Sequence, residues 1–184
     1  DMIKKPVSES IRNRSIYWLG YTAESQAKNN FLADIIRNQQ ESSEARQQAM
    51  SALSMSRAAT TLPVLETLYE TMTSRELKRR ALYGIGRSDN RDAAATYLIR
   101  IVENERDMEL RRSALTNLGR VPGDKSLNVL TSTLDSSPDV ELQRTAVSAI
   151  GRRPKDEAVP ILIRAARNHP RVEIRKLAIQ ALGH

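Results

Sequence analysis

Cysteine is absent from this sequence of 184 residues, and aromatic residues make up only 4% of it. Without cysteine, the fold contains no disulfide and no thiolate metal site. Apolar runs such as residues 158–163 are far shorter than the roughly 18 residues of a membrane-spanning helix, so no membrane insertion is expected. The opening stretch, DMIKKPVSES, also lacks the apolar core of a signal peptide. The cytoplasm is the default compartment, and the periplasm or export is the alternative if a signal peptide has been removed.

Glycine and proline are also scarce, with seven residues each, while leucine, alanine and arginine recur throughout the chain. This composition favours helix, and the 40% of hydrophobic residues is enough to form a core. The 29 basic residues exceed the 22 acidic ones, which gives a net charge of +7. An anionic partner is therefore permitted but not required.

One decapeptide pattern occurs six times in the sequence. The six blocks are IRNRSIYWLG from Ile11, ARQQAMSALS from Ala45, LKRRALYGIG from Leu77, LRRSALTNLG from Leu110, LQRTAVSAIG from Leu142 and IRKLAIQALG from Ile174. Apolar residues stand at the first, fifth, sixth and ninth positions, which is the spacing of one helix face. The pattern predicts helices near residues 8–20, 42–54, 74–86, 107–119, 139–151 and 171–183.

The residues around each block predict where its helix begins and ends. A residue that suits the N-cap stands three positions before the block at Ser8, Ser42, Ser74, Asp107 and Asp139. Five of the six predicted helices have a glutamate in the first turn, at Glu44, Glu76, Glu109, Glu141 and Glu173. A negative charge there interacts favourably with the positive end of the helix dipole. Glycine ends five of the blocks and Ser54 ends the sixth, which suggests left-handed C-caps. The fifth position is Ser15 or alanine, small enough for a neighbouring helix to approach closely.

A second series of leucines lies between the blocks, at Leu32, Leu65, Leu98, Leu130 and Leu162. Their apolar surroundings predict a second amphipathic helix in each repeat. Pro63 and Pro160 precede their leucines by two residues, and proline is tolerated in the first turn of a helix. We therefore expect both prolines to lie in first turns.

Two helices in about 32 residues cannot bury their apolar faces alone, but stacked pairs share a continuous core. The pattern resembles the short HEAT-like repeats also found in phycobilisome lyases, through IRKLA, LRRSA and AVPIL. We therefore expect an all-α, right-handed solenoid of about six two-helix repeats and about eleven helices. We expect this solenoid to form a single domain over residues 1–184. Because the sequence ends directly after a block, we expect it to be a fragment of a longer protein.

The resemblance implies that the helices with the repeated decapeptide line the concave side of the solenoid. The second block position is Arg12, Arg46, Lys78, Arg111, Gln143 or Arg175, for which we expect a structural role in hydrogen bonds between repeats. The outward positions follow it by one, two and five residues, from Asn13 in the first repeat to Gln180 in the last. They contain no acid, so they predict a basic, partly aromatic stripe, although a plain solvated face explains them equally well.

The candidate interaction surface consists of the larger outward side chains together with the single tryptophan. Its members are Arg14, Tyr17, Trp18, Gln47, Gln48, Arg79, Arg80, Tyr83, Arg112, Arg144 and Lys176. Trp18 stands where the other repeats have Ala, Gly or Asn, and it either caps the end of the stack or anchors a ligand.

Catalytic residues are not evident. The two histidines, His169 and His184, do not form a metal motif or support a triad, and GIGRSD at 84–89 lacks the third glycine of a phosphate-binding loop. No metal, cofactor or enzymatic activity is expected. The sequence favours a monomeric scaffold that binds a protein or peptide. The alternatives are a nucleic-acid-binding module, as in HEAT-like DNA glycosylases, and a chromophore lyase.

Overall fold

The computed structural model describes residues 8–183, which contain eleven α-helices and no β-strand. The helices are α1 (Glu9–Trp18), α2 (Gln26–Arg37), α3 (Ser43–Met55), α4 (Leu62–Thr71), α5 (Arg75–Ile85), α6 (Arg91–Asn104), α7 (Met108–Leu118), α8 (Asp124–Ser136), α9 (Val140–Ile150), α10 (Lys155–Asn168) and α11 (Val172–Leu182). The prediction of an all-α chain of paired helices is confirmed. His184 and both ends of the predicted 1–184 domain lie outside the described residues. None of the described helices is long and apolar enough to cross a membrane.

The chain divides into two compact units, the first ending at Asp89 and the second beginning at Asn90. We call the helices that carry the repeated decapeptide, the odd-numbered ones, block helices, and the even-numbered ones intervening helices. In the first unit, α2 pairs with α3 and α4 with α5, while block helices α1, α3 and α5 pack in sequence. In the second unit, each intervening helix pairs with the block helix that follows it, and α7, α9 and α11 pack in sequence.

The predicted N-caps are confirmed, because each of these side chains accepts a hydrogen bond from a backbone N–H in the first turn of its helix. The caps are Ser8, Ser42, Ser74, Asp107 and Asp139. The leucines of the second series, Leu32, Leu65, Leu98, Leu130 and Leu162, are fully buried, with at most 1% of their surface exposed. The alanines at the fifth block position are buried as well, whereas Ser15 is exposed. The hydrophobic periodicity therefore identified the core correctly.

Two predictions about backbone geometry are wrong. The glycines that end α5, α7, α9 and α11 keep right-handed helical torsion angles, and the only described residue with positive φ is Gly123, in the turn before α8. Pro160 lies in the sixth position of α10 rather than in its first turn, because the helix already begins at Lys155. The carbonyl of residue 156 therefore lacks its usual helical donor. Pro63 does lie in the first turn of α4, as expected.

Close contact with the next block helix explains Gly119 and Gly151 better than a cap does. A Cβ atom built on Gly119 would lie 2.9 Å from both the Cβ and the carbonyl oxygen of Ala149 in the next block helix. The contact between α3 and α5 in the first unit reverses the two roles. Ser54 stands in the glycine position of α3, and Gly84 of α5 faces it, with a built Cβ 2.9 Å from Ser54 Cα and 2.8 Å from Leu65 Cδ1. One partner of each contact must therefore lack a side chain.

The connectors of the first unit are joined by a polar network around Glu24. Its carboxylate accepts hydrogen bonds from Ser56 Oγ at 2.7 Å, Lys28 Nζ at 3.0 Å and Thr61 Oγ1 at 3.1 Å. Burial by itself would raise the pKa of Glu24, but the hydrogen bonds from Ser56 and Lys28 outweigh it, so the pKa lies below its ordinary value. The ionised carboxylate thus links the connector before α2 to the connector before α4.

Replacing Gly84 with alanine is expected to lower the free energy of unfolding by about 1–3 kcal/mol, because the added methyl group overpacks the contact with Ser54. Adding Ser54→Gly should recover part of this loss, since it recreates the glycine–alanine pairing found between α7 and α9. Urea unfolding of both single variants and the double variant measures this coupling. Gly183→Ala, where the nearest atom is 3.4 Å from the new Cβ, serves as the control. Strictly additive losses would contradict reciprocal packing.

Glu24→Gln is expected to destabilise the protein at neutral pH but not in acid. The pKa of Glu24 is lowered on folding, so its contribution is fully present above its ordinary value of about 4.3 and is lost as the pH falls through the lowered pKa. Urea unfolding between about pH 7 and pH 3 should therefore show the wild type and the variant converging in acid. The exposed Glu103→Gln provides the control, and a gap that stays constant with pH would argue against the network.

Candidate interaction surface

The candidate surface lies on the block helices, and all eleven predicted members are at least partly exposed. Because the two units are separate bodies, each carries its own part of the surface. The first unit contains Arg14, Tyr17, Trp18, Gln47, Gln48, Arg79, Arg80 and Tyr83. The second contains Arg112, Arg144 and Lys176. Asn13, which was predicted to point outward, is buried instead, with 1% of its surface exposed.

The second block position has a structural role, as predicted, but its hydrogen bonds lie mostly within a helix pair. Arg46 Nε donates to the carbonyl of Ile36 at 2.8 Å, and Arg111 Nε donates to that of Val102 at 2.9 Å. Both acceptors belong to the last turn of the preceding intervening helix, whose carbonyls lack helical partners. Arg175 likewise donates to the carbonyl of His169, which follows α10. These arginines therefore cap the intervening helices and are not available to a ligand.

Arg12 departs from this arrangement, because it forms an ion pair with the connector before α3. Its Nη1 and Nη2 atoms donate to the two carboxylate oxygens of Glu41 at 2.7 and 2.6 Å. These hydrogen bonds lower the pKa of Glu41 and raise that of Arg12. The bidentate geometry fixes the first block helix against the start of the second repeat.

Aromatic side chains cluster at the end of α1. Trp18 lies 5.1 Å from Tyr21 and 6.0 Å from Tyr17 between ring centroids, and the two tyrosine hydroxyls are 3.0 Å apart. This hydrogen bond raises the pKa of Tyr21. More than half of the surface of both Trp18 and Tyr21 is exposed. The cluster is therefore a preformed, solvent-facing aromatic patch of the kind that contributes binding energy at interfaces.

The predicted basic stripe of the second unit is an alternating ladder of acidic and basic side chains. Arg112 pairs with Glu109 in its own helix and, at 3.4 Å, with Glu141 in α9. Arg144 pairs with Glu141 at 3.6 Å and with Glu173 of α11 at 3.8 Å. We call these five residues the charge ladder. Its members are between 31% and 52% exposed at their side chains, so the ladder is accessible to a partner.

Part of the stripe in the first unit is paired in the same way. Glu76 forms ion pairs with Arg79 at 3.5 Å and with Arg80 at 3.0 Å, and Arg80 also donates to Ser51 Oγ of the neighbouring block helix at 2.8 Å. Tyr83 accepts a hydrogen bond from Arg87 at 2.8 Å. The expectation of a stripe free of acids is therefore wrong, because first-turn glutamates reach the same face.

Sequence reasoning assigned these glutamates to the helix dipole and missed their ion pairs. The pairs within a helix, such as Glu109 with Arg112, are separated by three residues and were available from the sequence. The pairs between helices require the stacking geometry. Arg112–Glu141 and Arg144–Glu173 both span 29 residues, which is one repeat minus the three residues from the first-turn glutamate to the arginine.

Stacked pairs of antiparallel helices around a shared core, with one exposed face of block helices, define a helical-repeat protein. Residues 127–184 match the family model of HEAT repeats. A chain from the structure of the CpcE–CpcF complex of phycocyanin lyase from Nostoc sp. PCC7120 has the same fold. The likeness covers 98% of this protein and 73% of that chain, with a TM-score of 0.58 and 17% sequence identity. No curated protein matches the sequence significantly. Residues 127–184 are therefore similar to HEAT repeats, and the described helices have an all-α repeat fold like that of the lyase chain.

Single arginines of the charge ladder are expected to contribute little to stability. Arg144→Gln should change the free energy of unfolding by less than about 1 kcal/mol, because the pair is half exposed. Arg153→Gln should cost about 3–5 kcal/mol, since this side chain is only 2% exposed and binds Glu157 and the carbonyls of Val121 and Gly123. Urea unfolding of both variants tests the contrast, and equal losses would contradict it.

Proposed function

We propose that this protein is a non-catalytic scaffold that binds another protein or peptide through the exposed face of its block helices. The charge ladder is the observation that carries the proposal. It presents carboxylates and guanidinium groups in alternation, on helices held rigidly by close contacts. A protein surface offers both signs of charge and can match such an alternating array.

The aromatic patch of the first unit supports the same function. Trp18 and Tyr21 expose large rigid rings that are already oriented by their mutual contacts. Residues of this type lose little conformational entropy on binding and often dominate the affinity of protein interfaces. The patch and the charge ladder lie on different units, and each can act as a binding surface by itself.

Nucleic acid is a less suitable partner for this face. A phosphate backbone is uniformly negative and binds to basic side chains whose charge is free. Arg79, Arg80, Arg112 and Arg144 are each paired with a glutamate, and those glutamates would repel phosphate. The net charge of +7 alone does not distinguish the partners. We therefore adopt the protein-binding function rather than the nucleic-acid alternative.

The phycocyanin lyase complex gives the proposal further support. Its structure contains two associated proteins, CpcE and CpcF, so at least one relative in fold works with a protein partner. The name of that complex also describes a lyase, but at 17% identity the likeness extends to the fold alone. Among residues 8–183, no three His, Asp or Glu side chains are grouped so that they could hold a metal ion.

Co-purification with matched variants tests the proposed function. Arg112→Glu combined with Arg144→Glu reverses the basic half of the charge ladder. Lys125→Glu combined with Arg167→Glu makes the same change in charge at exposed positions of the intervening helices α8 and α10. We expect partner proteins to be recovered with the wild type and the control pair, and to be at least tenfold depleted with the ladder variant.

Two results would contradict the proposal. Equal recovery with all three proteins would show that the block-helix face is not the binding surface. Titration with labelled single- and double-stranded DNA and RNA is the second measurement. Affinity that falls steeply with salt, and that is lost in the ladder variant but kept in the control, would instead assign the face to nucleic acid.

A further inference from the structure

A groove of about 330 Å³ lies between the last two block helices, α9 and α11. Its floor is apolar and consists of Val147, Leu177 and Ala181. Its polar lining comes from Ser148, Gln180 and Arg152. Ser148, Leu177 and Gln180 occupy outward positions of their helices, so the groove opens on the same face as the charge ladder. Its volume is at the lower end of the range for ligand sites and suits one or two side chains.

Two departures from the repeat pattern coincide with the groove. The position of Leu177 is polar in every other repeat, as in Arg80, Ser113 and Thr145, so only here does the outward face contain an aliphatic side chain at this site. The glycine contact is also wider. A Cβ built on Gly151 would lie 3.3 Å from Ala181 Cβ, compared with 2.9 Å at the equivalent contact between α7 and α9.

The charge around the groove is positive. Arg152 lines the groove, Lys176 precedes Leu177, and both side chains are exposed and make no ion pair with any described residue. The charge-ladder residues on α9 and α11 are Glu141, Arg144 and Glu173, which pair with one another and with Arg112 of α7 and so offset their charges. At the equivalent site one repeat earlier, Arg120 Nη1 donates a hydrogen bond to Asn117 Oδ1 at 2.5 Å. Arg152 is therefore free to bind a carboxylate.

We propose that this groove binds an acidic peptide segment in which an aliphatic side chain is flanked by aspartate or glutamate. The aliphatic side chain occupies the apolar floor against Leu177 and Val147. The flanking carboxylates pair with Arg152 and Lys176, while Ser148 and Gln180 offer hydrogen bonds to the peptide backbone. This inference rests on the proposed protein-binding function and specifies the chemistry of the partner at one site.

The test uses three fluorescein-labelled hexapeptides with the sequences DDLLDD, DDSSDD and KKLLKK, titrated with the full chain and followed by fluorescence anisotropy. DDLLDD should bind at least about tenfold more tightly than DDSSDD, because burying one leucine contributes about 1.5–3 kcal/mol. It should also bind at least tenfold more tightly than KKLLKK, because the free charges around the groove are positive.

Two variants and two matched controls locate the binding site. Arg152→Glu should weaken DDLLDD binding about tenfold or more, whereas Arg167→Glu, an exposed arginine on α10, should leave it unchanged. Ser148→Trp should fill the groove and prevent binding, whereas Ser132→Trp, also at an exposed serine, should not. Circular dichroism of each variant verifies that its helices are intact.

The inference is overturned if DDLLDD and KKLLKK bind equally, or if Arg152→Glu and Ser148→Trp have no effect. It is also overturned if sedimentation shows self-association that Ser148→Trp abolishes and DDLLDD does not compete with, because the occupant is then a second copy. The proposed function is tested separately by co-purification. Loss of partners from the ladder variant without peptide binding would reject the groove alone, and failure of both experiments would reject both proposals.

Discussion

The close approach of successive block helices is the constraint on which the other features of each unit depend. At these contacts a glycine of one helix lies against a small residue of the next, with no space for a further carbon atom, as at Gly119 and Ala149. Because main-chain atoms lie this close, the spacing and register of the helices are set by the backbone rather than by flexible side chains. Because this register is fixed, equivalent positions of successive block helices lie at a constant offset on the exposed face.

The charge ladder follows from that register. Side chains 29 residues apart meet because stacking brings the first turn of one block helix beside the middle of the preceding one. A bidentate pair between Arg164 of α10 and Asp135 of α8 has the same separation, so the rule extends to the intervening helices. These half-exposed pairs add little to stability. Their side chains are therefore free to serve recognition, while burial and the glycine contacts hold the fold.

Departures from the repeat pattern distinguish the candidate binding features from the regular parts of the fold. Trp18 stands at a position that is small elsewhere, and it contributes to an exposed aromatic patch. Leu177 stands at a position that is polar elsewhere, and it forms the floor of a groove. The exchange of roles between Ser54 and Gly84 is different, because it preserves a contact rather than creating a surface. An irregularity is thus structural where the neighbouring repeat compensates for it, and a candidate for binding where nothing does.

The sequence by itself determined the number and type of the helices, the approximate limits of the block helices, the N-caps, the buried leucines and alanines, and the exposure of the candidate surface. These properties depend on local periodicity and on interactions within a few residues, and the same local pattern occurs six times in the sequence. Only the tertiary structure decided the reason for the glycines, the pairing of the basic stripe with glutamates, and the groove beside Leu177. Each of these depends on the distance between two helices about 30 residues apart, which the periodicity within one helix does not report.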